Sequence, residues 1–418
     1  MASKQIYVYE NWSSDLPVFM GFLNIDNLRG KETCSFEYHS EWLKNNAARS
    51  FLDPDLQLYQ GRQYAPMDKS LFGIFSDSCP DRWGRLLMRR REAIDAHREG
   101  RKPRLLLESD YLLGVHDEGR MGALRFSLNP DGPFLSADSE MAAPPWVTLR
   151  KLEAASLSFE QDEDILNDHW LAQLLAPGSS LGGARPKATV RATDGSLWIA
   201  KFPSRHDETD TGAWEQVTHD LAKACGLRVP DSKLEKFSSY GSTYLVKRFD
   251  RDKARRIHFS SAMALLGKTD GASSQDGSSY LDLADFITSF GAQPKDDLLE
   301  LWRRVVFNMA VSNTDDHLRN HGFLLSKKGW VLSPMFDVNP IPYGENLSLN
   351  VTMDDSRIDL DLAIDAAPFF GLTTDSAAKE AAAIVQTVGS MWHTVAEHYG
   401  ISRNAQEAMA PAFSLCRQ

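Results

Sequence analysis

Residues 311–337 constrain this chain more than any other stretch. They read V-S-N-T-D-D-H-L-R-N-H-G-F-L-L-S, a Lys-Lys-Gly turn, then W-V-L-S-P-M-F-D. Two apolar runs, 323–325 and 330–332, have strand character, and short polar segments bearing Asp315, Asn320 and Asp337 flank them. That is the layout of a metal–nucleotide site. One carboxylate orients an attacking hydroxyl, while a second carboxylate and an Asn amide hold magnesium on phosphates. Asp315 suits the first role by its spacing to His317 and Asn320, and Asp316 reads as a loop-capping or solvent-facing carboxylate. His317 and His321 share a helical i, i+4 spacing, but the Glu that H-E-x-x-H requires is missing, which argues against zinc. Taken alone, the stretch would equally suit a metal hydrolase.

Upstream residues narrow the choice. Residues 177–190 read P-G-S-S-L-G-G-A-R-P-K-A-T-V. Gly178, Gly182 and Gly183 let backbone amides approach an anion, and Ser179 and Ser180 can donate to phosphate oxygens. The pattern fits neither G-x-x-x-x-G-K-[ST] nor G-x-G-x-x-G, so by itself it is an ordinary turn. Two strand-like runs follow, 187–191 and 197–202, and Asp194-Gly195 between them predicts a hairpin. Lys201 lies within the second run, where a lysine costs free energy unless it meets an anion or points from an edge strand into water. A helix expected over 213–225, with Trp214, Val217 and Leu221 on one stripe and Gly226 after its end, carries Glu215. That glutamate is either a partner for Lys201 or a first-turn acid favoured by the helix dipole. Runs 232–237 and 243–246 add strands before K-R-F-D-R at 247–251.

From about residue 258 helical periodicity dominates, as in Leu298, Leu301, Trp302, Val305, Val306 and Met309, and again in Ile384, Val388, Met391 and Val395. Residues 269–279, rich in Gly, Ser and Asp, read as a loop. A β-rich half followed by a helical half, carrying a Gly loop, a strand Lys, a helix Glu and two Asp-bearing loops in that order, is the bilobal plan of protein kinases. The expected class is α+β.

Ahead of this lie strand-like runs at 6–9, 18–23 and 34–38, a loop at 53–67, and a basic helix from Pro80 with Asp81 placed to cap it. Seven basic residues between Arg82 and Arg104 make that helix either a solvated face or a docking face. Residues 111–126 read as strand, turn and strand, and a Pro- and Ser-containing connector spans 130–145. The division expected is 1–130, an N-terminal subdomain; 131–250, a β-rich lobe with the Gly loop; and 251–418, a helical lobe with the catalytic and metal-binding loops. A formal charge of −11 opposes nonspecific adhesion to nucleic acid or anionic membrane. No apolar run reaches the length of a membrane span and the start lacks a signal-peptide core, so a cytoplasmic location is expected. Cys34, Cys79, Cys225 and Cys416 are scattered without a C-x-x-C pair, as packed, reduced thiols would be.

The motifs S-S-L-G-G-A-R-P-K (179–187), W-I-A-K-F-P (198–203), L-A-K-A-C-G-L-R-V-P (221–230), Y-L-V-K-R-F-D-R (244–251), T-D-D-H-L-R-N-H (314–321) and S-P-M-F-D (333–337) resemble the HipA family of bacterial serine/threonine kinases, the toxins of HipA–HipB toxin–antitoxin systems. The piece ending in G-A-L-R-F (122–126) is similar to that family's extra N-terminal subdomain. The resemblance implies a bilobal protein-kinase-like fold, with a β-rich N-terminal lobe and an all-helical C-terminal lobe. It implies ATP and Mg2+ as cofactors, Asp315 as catalytic base, Asn320 and Asp337 as metal ligands, and Lys201 on the nucleotide phosphates. His317 would support the catalytic loop. Val246, Lys247 and Phe249 would belong to the adenine-contacting hinge, with Ser179, Ser180, Gly182, Gly183, Lys187 and Glu215 completing the nucleotide site.

Ser180, or the adjacent Ser179, would be autophosphorylated, switching the kinase off. A HipB-like antitoxin would bind the chain and connect it to DNA only indirectly. The implied target is a cytoplasmic protein, such as a translation component of the aminoacyl-tRNA synthetase kind, whose phosphorylation arrests growth. Two departures stand out: H-F-S-S-A-M at 258–263 replaces a Q-E-D-type segment, and Lys247 takes a hinge position that is often acidic. A small-molecule kinase on a similar frame, and an antitoxin-binding corepressor with little catalysis, are the competing readings.

Overall fold

Alternation along the first strand starts the fold. In β1 (Ala2–Glu10) Ile6 and Val8 are fully buried while Tyr7 and Tyr9 between them are partly exposed, the period-two pattern of a half-buried strand. We describe a computed structural model, which covers residues 2–28, 31–46, 50–137, 142–161, 174, 183, 185–253 and 255–416. The chain divides into two units, Met1–Arg205 with Lys247–Ser260, and His206–Val246 with Ser261–Gln418.

In the first unit, β1 pairs antiparallel with β2 (Val18–Leu28) and β2 with β3 (Lys31–Tyr38), giving the order β4-β3-β2-β1-β5 with β4 (Arg62–Tyr64) and β5 (Leu124–Ser127). The rings of Phe36, Phe75 and Phe126 form its apolar layer, with centroids 5.2 and 6.2 Å apart in sequence. Helix α1 (Arg82–Arg98) starts where expected, its Asp81 cap accepting from the Gly84 N–H at 2.8 Å. Its arginines do not form a uniform basic face. Arg85 pairs with Glu108 at 2.6 Å, Arg91 with Asp95 at 3.1 Å, and Arg104 beyond the helix with Asp110 at 3.0 Å.

Residues 111–126 correct the strand–turn–strand expectation. Helix α2 (Glu108–Gly114) covers the first part, and only β5 is extended. Asp110 accepts from the Leu107 N–H at 3.0 Å and closes a first turn, a local acid signal that the β-type composition of Tyr111–Val115 hides.

The predicted hairpin is present as β6 (Lys187–Arg191) and β7 (Leu197–Lys201), with Lys187 opposite Lys201 and Gly195 in the turn at φ +83°. Later in this unit Arg248 and Asp250, both fully buried, pair at 2.6 Å. Asp250 also takes Arg251 at 2.6 Å and the Gly122 N–H at 2.8 Å, and Arg248 donates to the Gly119 carbonyl at 2.6 Å. That node fastens 247–260 onto 119–122.

In the second unit, α3 (Thr211–Ala224) precedes the pair β8 (Ser232–Glu235) and β9 (Thr243–Lys247), whose register runs Ser232↔Val246 to Glu235↔Thr243. Helices α4 (Tyr280–Phe290), α5 (Pro294–Ala310) and α6 (Thr374–His398) dominate the remainder. Hairpin β10 (Gly322–Ser326) and β11 (Gly329–Leu332) interrupts them at the two predicted apolar runs. Trp302 of α5 is buried and donates to the Ala363 carbonyl at 2.8 Å. The four cysteines are free thiols, and no helix among the described residues is long and apolar enough to cross a membrane.

Candidate active site

The loop after α5 is built around one buried carboxylate. Asp316 is 3% exposed, and its Oδ2 accepts from Tyr280 Oη at 2.7 Å, Asn308 Nδ2 at 2.7 Å and His321 Nε2 at 2.8 Å. This overturns the solvent-facing alternative and leaves Asp316 as an anchor of the loop: three donors from α4, α5 and the loop's far end satisfy the charge that burial would otherwise forbid. Burial pushes its pKa up, but the His321 charge and the hydrogen bonds from His321 and Tyr280 outweigh that and hold it below the ordinary carboxylate value.

Asp315, next in the chain, is exposed. Its backbone is fixed even though its side chain faces outward: the Asp315 carbonyl accepts from Asn320 Nδ2 at 3.0 Å and from the His317 N–H at 3.0 Å. Asn320 is 4% exposed, and with Nδ2 so engaged its Oδ1 is buried without a hydrogen-bond partner. An oriented, unsatisfied amide oxygen suits a hard cation such as magnesium. His317 Nδ1 and Ser312 Oγ are likewise buried and unsatisfied. Ser312 has φ +50°, and a Cβ at Gly344 would come within 2.6 Å of its Oγ, so a larger residue there would push the Ser312 and Thr314 side chains aside.

Asp337 is positioned from both sides. Asp297 of α5 accepts the Leu332 N–H at 3.0 Å, Arg304 donates to the Ser333 carbonyl at 2.7 Å, and the Met335 N–H donates to the Arg228 carbonyl at 2.7 Å. Beyond it, the Thr218 hydroxyl of α3 donates to the Val338 carbonyl at 2.6 Å. Pinned between these anchors, Asp337 adopts φ +60°, a backbone region that non-glycine residues enter when the surroundings over-determine it. Sequence reasoning passed over Asn339, whose buried Oδ1 also has no hydrogen-bond partner; its place two residues after Asp337 was the available signal. It passed over Tyr280 and Asn308 as well, the donors that fix Asp316. Among the described residues no group of three His, Cys, Asp or Glu could hold a metal, so a cation here would rest on single oxygens and on phosphate.

The other expected residues fall in both units. Glu215 is buried on α3, and Val246 is buried on β9, in the second unit. Lys247 and Phe249 follow in the first unit, where the Phe249 and Phe259 rings lie 6.1 Å apart. Lys201 is half-buried on β7. Lys187 is 3% exposed, with Nζ 2.9 Å from Asp81 Oδ2, so the residue that caps α1 also neutralises this lysine. Gly183 accepts from Lys187 Nζ through its carbonyl at 3.2 Å, while Ser179, Ser180 and Gly182 lie outside the described residues.

Residues 179–397 match the model of the HipA-like C-terminal domain. The "Putative kinase Y4mE" of Sinorhizobium fredii is 29% identical over 183 residues, 38% of this chain and 41% of that protein. A "Putative kinase" of Haemophilus influenzae is 28% identical over 188 residues, 40% of this chain and 54% of that protein. The chain thus spans about half the length of these curated relatives. In fold it is similar to HipA of Shewanella oneidensis, solved with HipB and operator DNA, at TM-score 0.68 and 15% identity over 98% of this chain and 96% of that one. The family model covers more than half of the chain, and the likeness in fold extends over nearly all of it: this protein belongs to the HipA-like family, with the α+β, kinase-like fold of that family.

Proposed function

We propose that the chain is an ATP- and magnesium-dependent protein serine/threonine kinase of the HipA type. The observation that carries this reading is the arrangement of residues 311–321, where buried Asp316 anchors a loop that carries exposed Asp315 and the unsatisfied Asn320 Oδ1. Asp315 receives the proton of a serine or threonine hydroxyl as its oxygen attacks the γ-phosphorus and ADP leaves. Asn320 and Asp337 hold the magnesium, which when bound offsets charge on the phosphates. In the same reading Lys201 serves those phosphates and His317 braces the catalytic loop. Val246, Lys247 and Phe249 meet the adenine through the backbone, a contact that survives the lysine at 247. The three-part division at 130 and 250 belongs to the same reading.

Ser180, with Ser179 beside it, is the proposed autophosphorylation site, and a HipB-like antitoxin the proposed partner. The solved Shewanella HipA complex with HipB and operator DNA supports that partner by similarity of fold. The test is phosphopeptide mapping after incubation with ATP, magnesium and a cell extract. Phosphoserine at 180 or 179 together with a phosphorylated cytoplasmic protein is expected. Phosphorylation of a small molecule alone, with no phosphoprotein, would replace this reading with that of a metabolite kinase.

A further inference from the structure

A second site lies wholly within the first unit. A cavity of 620 Å³ is lined by the β6–β7 turn and by residues 247–256, and it presents Arg191, Lys247, Arg248, Arg251, Lys253 and Arg256. Among the described residues Glu118, Asp194 and Asp252 are the acids of the lining, so six positive charges face three negative ones in a chain whose net charge is −11. Two of those acids are already engaged: Glu118 pairs with Arg191, and Asp194 accepts from the Ser196 N–H and hydroxyl at 2.9 and 2.6 Å.

The carboxylates behind the wall are shared too thinly to balance it. Asp250 serves both Arg248 and Arg251, each at 2.6 Å. Asp117 serves both Arg125 and Arg256, at 2.6 and 2.7 Å. Four guanidinium groups thus rest on two carboxylates. Arg248 and Arg251 place their other donors on the carbonyls of Glu118, Gly119, Arg120 and Gly122, but carbonyls carry no full charge, so an excess of positive charge stands. Arg256 carries the clearest mark of a missing partner. It is 9% exposed and its Nη2 is bound to Asp117, yet its buried Nη1 has no hydrogen-bond acceptor. Burial and the Arg248 and Arg256 charges push Arg251 down to about 9 against the pull of Asp250. The Arg256 guanidinium is also held below its ordinary value, by burial first and then by Arg125 and Arg248.

We infer that this cavity binds a soluble, multiply charged phosphate anion, the short polyphosphate chain of an inorganic or nucleotide source. Fork-shaped guanidinium donors match phosphate oxygens, and Lys247 and Lys253 in the lining add point charges. The space exceeds what a single phosphate needs and falls in the range of small-ligand pockets. Among the described residues no aromatic side chain is in the lining, so recognition there rests on the charged chain rather than on base stacking.

Titration calorimetry of the full chain at low salt tests this, with inorganic tripolyphosphate in one arm and ATP in another. The double variant Arg191→Gln, Lys253→Glu runs beside wild type; both positions are solvent-accessible and remote from the proposed catalytic residues in sequence. One tripolyphosphate is expected to bind per chain, and the variant to weaken it about tenfold or more, the effect of losing roughly 1.4 kcal/mol of contact. If ATP shows a second equivalent that the variant loses, the nucleotide's phosphate tail is the source; ATP binding unchanged in the variant assigns the pocket to the inorganic chain. Should the double variant melt several degrees lower, Lys253→Glu alone, at an exposed position, is the one compared. Absence of binding in both arms, or binding that the variants leave untouched, overturns the inference.

Discussion

Among the described residues each unit buries a carboxylate at a structural junction, and the two are satisfied by different mixtures of charge and hydrogen bonding. Asp250 in the first unit is neutralised by charge, with Arg248 and Arg251 on it at 2.6 Å, and is pulled down to about 2: burial opposes ionisation, but the two guanidiniums outweigh it. Asp316 in the second unit is held by the Tyr280 and Asn308 donors and by His321. Ion pairing leaves surplus cations nearby, and around Asp250 these form the wall of a basic cavity. Around Asp316 one histidine and two neutral donors leave no such surplus, and the loop that carries Asp315 and Asn320 is held without it. The same cost of burial therefore produces a charged pocket in one place and a preorganised loop in the other.

Replacing each node should separate the two. Asp250→Ala strands two buried guanidiniums and is expected to destabilise the first unit by about 3–5 kcal/mol, seen as a lower denaturant midpoint. Asp316→Ala leaves three donors without their acceptor, and a loss of roughly 3 kcal/mol is expected together with loss of activity. Equal activity in wild type and Asp316→Ala would mean that the loop does not depend on this anchor.

A pH experiment sharpens the contrast within the first unit. His258 is buried, stacks on Trp12 with centroids 4.5 Å apart, and burial pushes its pKa from 6.5 down to about 3. The folded imidazole stays neutral where the unfolded one binds a proton, so stability falls as pH drops from 6.5 towards 3, by up to about 1.4 kcal/mol per pH unit. His258→Phe should remove that slope, as urea titrations at several pH values would show. A smaller effect belongs to the second unit: Asn320→Ala should raise the magnesium requirement of phosphoryl transfer about tenfold, with a modest fall in melting temperature from the lost hydrogen bond to the Asp315 carbonyl. An unchanged magnesium dependence would remove Asn320 from the metal.

Much of the site was legible because its groups are close in sequence. Asp315, His317 and Asn320 share one loop, Asp337 follows the next hairpin, and the apolar runs between them formed strands where expected. The error at Asp316 arose because burial is set by distant partners: Tyr280 is 36 residues away, and nothing beside Asp316 announces it. The Lys187–Asp81 pair joins residues more than a hundred positions apart, and the basic cavity assembles Arg191 with Arg256 from separate segments. First-turn acids, Glu108 and Asp110, favour the helix α2 against a β-type composition, with Asp110 also accepting from the Leu107 N–H.

The most direct test is single-turnover phosphoryl transfer by Asp315→Asn, with the melting temperature measured alongside. Asp315 is exposed and Asp316 holds the loop, so an unchanged melting temperature and a rate lower by about a hundredfold or more are predicted. A variant that melts normally and transfers phosphate at the wild-type rate would contradict the account.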